Sequence, residues 1–470
     1  MAADQTQIAV IGGGPGGYVA AFRAAGLGLD VTLIDLDENP GGVCLYRGCI
    51  PSKALLHVAK LLNETKEAAE WGVTFGEPRI DLDGLRAFKD RVVARMTGGL
   101  GQLSKARKVT YVRGRARFTG AQSLKIDLHD GGQQDLSFEQ AVLATGSRPV
   151  VLPAFDIGSE RVMDSTGALE LRDVPGRLLV VGGGIIGLEL GQVYAALGSQ
   201  VSVVEMTDGL IPPADRDLVK VLSRRLESQF EGVHLNTKVT AVAENGNALD
   251  VSWEPVTGGD GATQTFDRIL LSIGRRPNTE DLGLETTRIQ LTERGFVSVD
   301  AQRRTAEPSI FAIGDVIGSA LAHTASHEGI VAAEVMSGER SAFEPNAIPG
   351  VVYTDPEIAW CGLTESEAAG RDIKVARFPW AASGRATTLG RSDGLTKLIV
   401  DPQTERILGV GIAGPGAGEL IAEGVLAVEM AALVQDVALT IHPHPSLSET
   451  VMEAAEAYHG LSPHITGPRR

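Results

Sequence analysis

The chain has 470 residues, too many for one domain, so two to four are expected. A 43% hydrophobic content with 57 glycines suits an α/β protein rich in tight turns, and no apolar run nears the roughly 20 residues of a membrane span. The net charge of −16 argues against nucleic acid and leaves a basic protein partner open, while three cysteines in 470 residues are too few for a disulfide scaffold.

Met1-Ala2-Ala3-Asp4 runs straight into a strand, leaving no room for a leader, which reads as a cytoplasmic protein. Ile8-Ala9-Val10-Ile11 is a short buried strand. Gly12-x-Gly14-x-x-Gly17 then opens a helix, and Val31 to Ile34 returns as a second strand ending on Asp35. Such glycines allow a tight turn and close backbone approach, so a pyrophosphate can sit on the helix N-terminus while Asp35 accepts hydrogen bonds from a ribose.

Two of the three cysteines follow in Cys44-Leu45-Tyr46-Arg47-Gly48-Cys49-Ile50-Pro51-Ser52-Lys53. A regular helix would hold their Cα atoms about 8–9 Å apart, beyond the limit of about 7 Å for a disulfide. A bond between them therefore needs an irregular segment, which Gly48 permits. Pro51 suits the first position of a helix, placing Cys49 beside an N-terminus that favours a thiolate. Spacing alone leaves a structural disulfide or two buried small residues equally open. Half a zinc site would need further ligands, and only His57 is near.

Residues 63–110 read as helical, interrupted at Thr97-Gly98-Gly99-Leu100-Gly101, and Tyr111–Phe118 with Ser123–Leu128 as strands of a β-meander. The opening unit then recurs. Gly182, Gly184, Gly187 and Glu205 repeat Gly12, Gly14, Gly17 and Asp35 at one constant shift of 170 residues. A second echo links Phe138-x4-Leu143-Ala144-Thr145-Gly146-Ser147-Arg148-Pro149 to Phe266-x4-Leu271-Ser272-Ile273-Gly274-Arg275-Arg276-Pro277. Two dinucleotide-binding units are expected. Glu205 would repel a 2′-phosphate, and no arginine lies between it and Arg216, so the second unit favours NAD over NADP.

Pro308 to Asp315 is a further strand ending in Gly-Asp, and a helix is expected from about Leu321-Ala322-His323, with His323 and His327 structural or capping. From about Pro345 the composition changes. Cys361 there reads as a buried small residue. Near the end, His442-Pro443-His444-Pro445 precedes Ser446-x-x-Glu449, which by itself is a capping box for a helix from Glu449 to Tyr458.

Cys-x4-Cys-Ile-Pro-Ser-Lys between two glycine-rich nucleotide motifs resembles the pyridine nucleotide–disulfide oxidoreductase family, over Ile8 to about His459. Within it, the likeness is to the branch that oxidises dihydrolipoamide. The resemblance implies an α/β fold of two Rossmann-like dinucleotide-binding domains, for FAD and NAD, plus a C-terminal α+β dimerisation domain. The expected segments are an FAD domain with the redox disulfide (1–150), an NAD domain (151–277), a segment returning to the FAD domain (278–345) and a dimerisation domain (346–470).

By the same resemblance, Cys44 and Cys49 form the redox disulfide, with Cys49 against the flavin. His444 is the acid–base and Glu449 its orienting partner, both serving the opposite subunit of a homodimer, and His444–Pro445 is a cis peptide. Gly12, Gly14, Gly17, Asp35, Ala116, Asp315 and Ala322 would hold FAD. Gly182, Gly184, Gly187, Glu205 and Gly274 would hold NAD, and Lys53 with Glu189 would pair near the reactive flavin nitrogen. For Ala116, Lys53 and Glu189, the residues themselves leave ordinary strand and surface roles open. Ile185 stands where glutathione reductases carry an aromatic gate.

The implied partners are the lipoyl domain of an acyltransferase or a glycine-cleavage carrier protein, and the subunit-binding domain of a multienzyme complex, with no nucleic acid, membrane or metal. Tyr46 and Arg47 replace the more usual asparagine and valine, Ser446 a common threonine, and Asp35 a more frequent glutamate. Arg47 adds positive charge near the thiols and is expected to lower a thiol pKa further. The rivals are a reductase for glutathione, mercuric ion or a thioredoxin, and a docking subunit with dispensable redox chemistry. Against the first stand Glu205 and an ending, Gly467 to Arg470, without a second cysteine pair.

Overall fold

The computed structural model describes residues 4–466. The readings placed on Met1 to Ala3 and on Gly467 to Arg470 lie outside the described residues. The first unit comprises β1 (Asp4–Ile11), α1 (Pro15–Gly26) and β2 (Val31–Asp35). Ile8 to Ile11 are buried without a break, as a parallel strand covered on both faces requires. Next come α2 (Gly42–Arg47), α3 (Cys49–Glu67), α4 (Leu82–Ala106), β3 (Thr110–Gly120), β4 (Ser123–Leu128) and β5 (Gln133–Leu143). β1 pairs in parallel with β2 and β5, and β2 with the start of β3. β4 lies antiparallel between β3 and β5. The two long strands thus serve both the parallel sheet and the expected meander.

The second unit repeats this plan. After β6 (Ser147–Pro149) come β7 (Val162–Met163), α5 (Ser165–Glu170), β8 (Arg177–Val181), α6 (Ile185–Leu197), β9 (Gln200–Val204), α7 (Arg216–Gln229) and β10 (Gly232–His234). A meander of β11 (Thr237–Asn245), β12 (Ala248–Pro255) and β13 (Ala262–Phe266) leads to β14 (Arg268–Leu271) and β15 (Arg275–Pro277). The parallel sheet has the order β10-β9-β8-β14-β7. In α7, Leu218, Leu222 and Leu226 are buried, one apolar stripe at helical spacing against the core. The two echoed segments pair with each other: β6 and β15 run antiparallel with Arg148 opposite Arg276. The repeat seen in the sequence thus closes as a local pseudo-twofold ribbon between the two units.

β16 (Ile310–Ala312) then returns to pair with β5, and α8 (Ala322–Met336) packs on α1. The packing is close: a Cβ on Gly329 would meet the Gly16 carbonyl oxygen at 2.5 Å. The last region contains β17 (Gly350–Val352), β18 (Ile358–Gly362), β19 (Lys374–Pro379), α9 (Gly384–Thr388), β20 (Leu395–Val400), β21 (Ile407–Ala413), α10 (Ala417–Glu429), α11 (Val434–Leu439) and α12 (Glu449–His459). Its antiparallel sheet, β17-β18-β21-β20-β19, packs against α10 and α12 around a core that includes Phe378, Trp380 and Val451. Cys361 is buried in that core, where burial pushes its thiol up to about 12. Among the described residues no helix is long and apolar enough to cross a membrane.

Two local expectations are corrected. α4 runs through Gly98, Gly99 and Gly101 unbroken. At Gly101 tertiary packing offsets the low glycine propensity, since a Cβ there would meet the Asn39 side chain at 2.0 Å, whereas Gly98 and Gly99 have open space around them. α3 starts at Cys49, not Pro51. Pro51 lies third in the first turn, where its missing N–H leaves no helical bond unmade.

Candidate active site

A cavity of about 1660 Å³ lies between the two glycine turns and is lined from all three regions of the chain. In the first turn Gly12 has φ +103°, and a Cβ on it would meet the Ala144 carbonyl oxygen at 2.2 Å. A Cβ on Gly17 would overlap the Gly12 carbonyl oxygen at 1.8 Å, whereas one on Gly14 would meet nothing within 4 Å. The three positions therefore make the turn, pack the helix on the strand and leave an open approach, as a diphosphate cradle at a helix N-terminus needs. The Gly13 N–H donates to the Asp35 carboxylate, whose second oxygen accepts from the Asp37 N–H at 3.0 Å.

The second turn copies the first down to its hydrogen bonds. Gly182 has φ +104°, a Cβ on Gly187 would meet the Gly182 carbonyl oxygen at 2.4 Å, and Gly184 is clear. The Gly183 N–H donates to Glu205 Oε2 at 2.7 Å, and the Thr207 N–H to Oε1 at 2.7 Å. Both carboxylates are held by their own turns and line the cavity. Gly14, Gly184 and Gly274 are also in its wall, while Gly17 and Gly187 support it from beneath. The donor set suits two dinucleotides.

Between the cradles stand the thiols. α2 ends, Gly48 breaks the helical path, and α3 restarts on Cys49, so the two sulfurs come within hydrogen-bonding reach. This is the irregular segment the spacing demanded. A Cβ on Gly48 would sit 2.9 Å from the Val43 carbonyl oxygen. Both thiols are free, Cys44 half-buried and Cys49 exposed to the cavity. The hydrogen bond from Cys44 and the charge of Lys53, against the cost of burial, bring Cys49 down to about 7. The same bond, with burial, pushes the Cys44 thiol far up. One thiol is set to be a thiolate and the other to keep its proton.

Lys53 Nζ lies 2.7 Å from Glu189 Oε2 and 4.6 Å from the centre of the Tyr353 ring. Glu189 is only 3% exposed and also accepts from the Tyr353 N–H at 2.9 Å. Neither is a plain surface residue. Asp315 accepts from Ser147 Oγ, which in turn accepts from Arg275 Nε at 2.7 Å. Ala116 and Ala322, the latter first in α8, complete this part of the wall. Arg47 departs from expectation: it reaches away to Asp37 at 2.6 Å, and Lys53 is the cation that faces the thiols.

His444 and Glu449 do not line this cavity. His444 Nδ1 donates to Glu449 Oε1 at 2.8 Å, leaving Nε2 directed outward on a side chain 77% exposed. Glu449 Oε2 accepts from the Ser446 N–H at 2.7 Å, and the Glu449 N–H points back to Ser446 Oγ at 3.4 Å. Glu449 thus gives one oxygen to the His444 ring and the other to the Ser446 N–H. Burial pushes the Glu449 carboxyl up, but the bonds from Ser446 and His444 outweigh it and hold it below the usual range. His444–Pro445 is cis.

Tyr353, Ser147, Arg275 and Glu328, which accepts from the Gly314 N–H at 2.7 Å, escaped the sequence reading. Ser147 and Arg275 had a signal, since they are matched positions of the second echo. Tyr353 and Glu328 had none, because their partners lie 164 and 14 residues away along the chain.

A dithiol of split acidity between two dinucleotide cradles defines a flavoprotein-type disulfide oxidoreductase site. The chain belongs to the pyridine nucleotide-disulphide oxidoreductase family: the family's sequence pattern matches residues 6–329, and that of its dimerisation domain 348–455. The dihydrolipoyl dehydrogenase of Vibrio cholerae serotype O1 is 49% identical over 459 residues, 97% of this chain and 96% of that one. Its counterpart from Thermus scotoductus is 47% identical, with 97% and 98% covered. Among solved structures, LpdA of Mycobacterium tuberculosis superposes with a TM-score of 0.88 at 29% identity, covering 96% of this chain and 99% of that one. The copper complex of the HOCl-induced flavoprotein disulfide reductase RclA of Escherichia coli gives 0.85 at 28%, with 96% and 99% covered.

Proposed function

We propose that this chain oxidises protein-bound dihydrolipoamide to lipoamide and reduces NAD+ to NADH. The observation that carries this reading is the Cys44–Cys49 pair, its two thiols set apart in acidity on the wall between two dinucleotide cradles. FAD in the first cradle and NAD in the second would supply the hydride relay that links the thiols to the nicotinamide.

The substrate is a neutral dithiol, and only a thiolate attacks a disulfide efficiently. His444, its Nδ1–H fixed on Glu449, takes that proton at Nε2. The new thiolate attacks Cys44 Sγ of the oxidised enzyme, the Cys44–Cys49 bond breaks, and Cys49 leaves as a thiolate. The α3 N-terminus and Lys53 stabilise that charge. The second substrate thiol then gives up its proton and displaces Cys44, which takes that proton as it leaves, and lipoamide departs. One disulfide and one dithiol have been exchanged.

His444 and Glu449 stand outside the chain's own cavity, which supports a homodimer in which they serve the partner's thiols. An apolar surface near them supports the same reading, with Met430, Leu439 and Ile441 exposed. The lipoyl group would arrive on an acyltransferase or a glycine-cleavage carrier in the cytoplasm. The charge of −16 suits a basic subunit-binding domain as the docking partner.

The test is anaerobic: dihydrolipoamide and NAD+ are added to the purified yellow protein and NADH is followed, alongside Cys44→Ser. NADH formation lost in the variant is expected. A wild-type protein that NADH reduces but dihydrolipoamide does not would retain both nucleotides and overturn the substrate, pointing to another disulfide.

A further inference from the structure

The first histidine of the His-x-His-Pro motif has no part in the exchange above. Its ring is nevertheless the more firmly held of the two. His442 Nδ1 lies 2.8 Å from the Thr440 carbonyl oxygen, and Nε2 lies 2.7 Å from Glu423 Oε1. Both ring nitrogens are therefore engaged, one by backbone and one by a carboxylate. The side chain is 5% exposed, so this is a sheltered histidine–carboxylate contact that fixes the ring plane.

We propose that His442 is a positioning residue for the proton transfer, a ring held at both nitrogens that ties the turn bearing His444 to α10 through Glu423. This rests on the reading of His444 as the acid–base. The turn needs such a tie, since Ile441 is 95% exposed and the His444 ring stands out from the surface. Downstream, Glu449 anchors the turn to the start of α12. Upstream, Thr440 Oγ1 donates to the Asp436 carbonyl oxygen at 2.8 Å, and His442 makes the long reach to α10. Gly418, Ile421 and Ala422 of that same helix line the chain's cavity. The strut therefore joins a helix that shapes one dithiol cavity to the turn that carries the base. The charged groups facing it are Glu423 from α10 and, across the turn, the Glu449–His444 pair, where a protonated His442 helps hold the Glu449 carboxyl low.

The experiment compares His442→Ala and His442→Gln in the full-length holoenzyme, with two assays and a pH profile. For His442→Ala, kcat with dihydrolipoamide is expected to fall on the order of 10-fold or more, with a smaller change in KM, as for a misplaced base. The pH dependence of kcat should shift, while NADH-driven reduction of an artificial acceptor is retained. His442→Gln, which can still donate to Glu423, should recover part of the loss. Equal loss in both assays would make the role merely structural and overturn the inference, as would unchanged kcat and pH profile. A wild-type enzyme that does not oxidise dihydrolipoamide would overturn the reading of the site and the inference with it.

Discussion

At the scale of single residues, chemistry is divided by small differences in surroundings. Cys44 and Cys49 share one hydrogen bond, yet it lowers one thiol and raises the other. In the reduced protein, alkylation at Cys49 should therefore rise with pH around a midpoint of about 7, because only the thiolate reacts. Removing a cation destabilises the thiolate, so Lys53→Met should move the midpoint upward. Arg47→Val should leave it unmoved, because Arg47 is engaged by Asp37. Iodoacetamide kinetics with mass-spectrometric assignment of the modified cysteine checks all three, and a fall in Lys53→Met would contradict the assignment. Arg47 also shows where sequence reasoning ends. Its neighbourhood in the chain is the thiols, but its length lets it reach past them to the loop after β2.

Among the elements, the junction of α2 and α3 decides whether the dithiol exists. Gly48→Ala would push a Cβ against the Val43 carbonyl, with Cys44 Cα at 3.3 Å also in the way. Overpacking of this kind costs about 1–3 kcal/mol, and the nearest relief is to move Cys44 from Cys49. Denaturation should show that loss, and the Cys49 midpoint should climb toward the ordinary thiol range of about 8.5 as its hydrogen bond lengthens. A stable variant with an unmoved midpoint would mean the break does not set the pairing. Much of this level was legible in the sequence, because it is built from local rules. Glycine spacing gave both cradles, the carboxylate after the second strand gave Asp35 and Glu205, and the fixed shift between them gave two units. The glycines of α4 misled because Gly101 is fixed by a close approach to Asn39, a contact made across the fold that local propensity does not carry. The start of α3 was misjudged by two residues because proline suits any position of the first turn.

For the whole molecule, one side chain stands where the NAD-type unit meets the C-terminal region, and no local pattern announces it. Lys397 on β20 is completely buried, with Nζ 2.7 Å from Asp215 and 2.8 Å from Asp217, and in contact with Glu365. These three carboxylates form the one group among the described residues close enough to hold a metal ion, and the ammonium occupies their centre. Arg377 adds bonds to Asp217 at 2.9 Å and to Glu365 at 2.5 Å. Burial pushes the Asp217 carboxyl up, but the bonds from Lys397 and Arg377 outweigh it and hold it below the usual range. A carboxyl lowered on folding contributes stability that is complete above its unfolded value of about 4 and fades as pH falls through the lower folded value. Burial likewise pushes Lys397 down, and its three carboxylates more than reverse this. That contribution is complete below the unfolded value of about 10.4 and is lost only as pH rises through the raised folded one. The junction is therefore strongest across the middle of the pH range and yields first to acid. Lys397→Met leaves three carboxylates facing one another with only Arg377, bonded to Asp217 and Glu365, to offset them and Asp215 with no cation at all, which should cost about 3–5 kcal/mol at neutral pH. Combining it with Asp215→Asn and Asp217→Asn should recover much of that loss, since the remaining carboxylate, Glu365, is still paired with Arg377, and should flatten the decline below about pH 4. Thermal unfolding of the holoenzyme across pH, with wild type, Lys397→Met and the triple variant compared, separates the possibilities. A triple variant no more stable than Lys397→Met would mean that the lysine acts by filling space and not by charge.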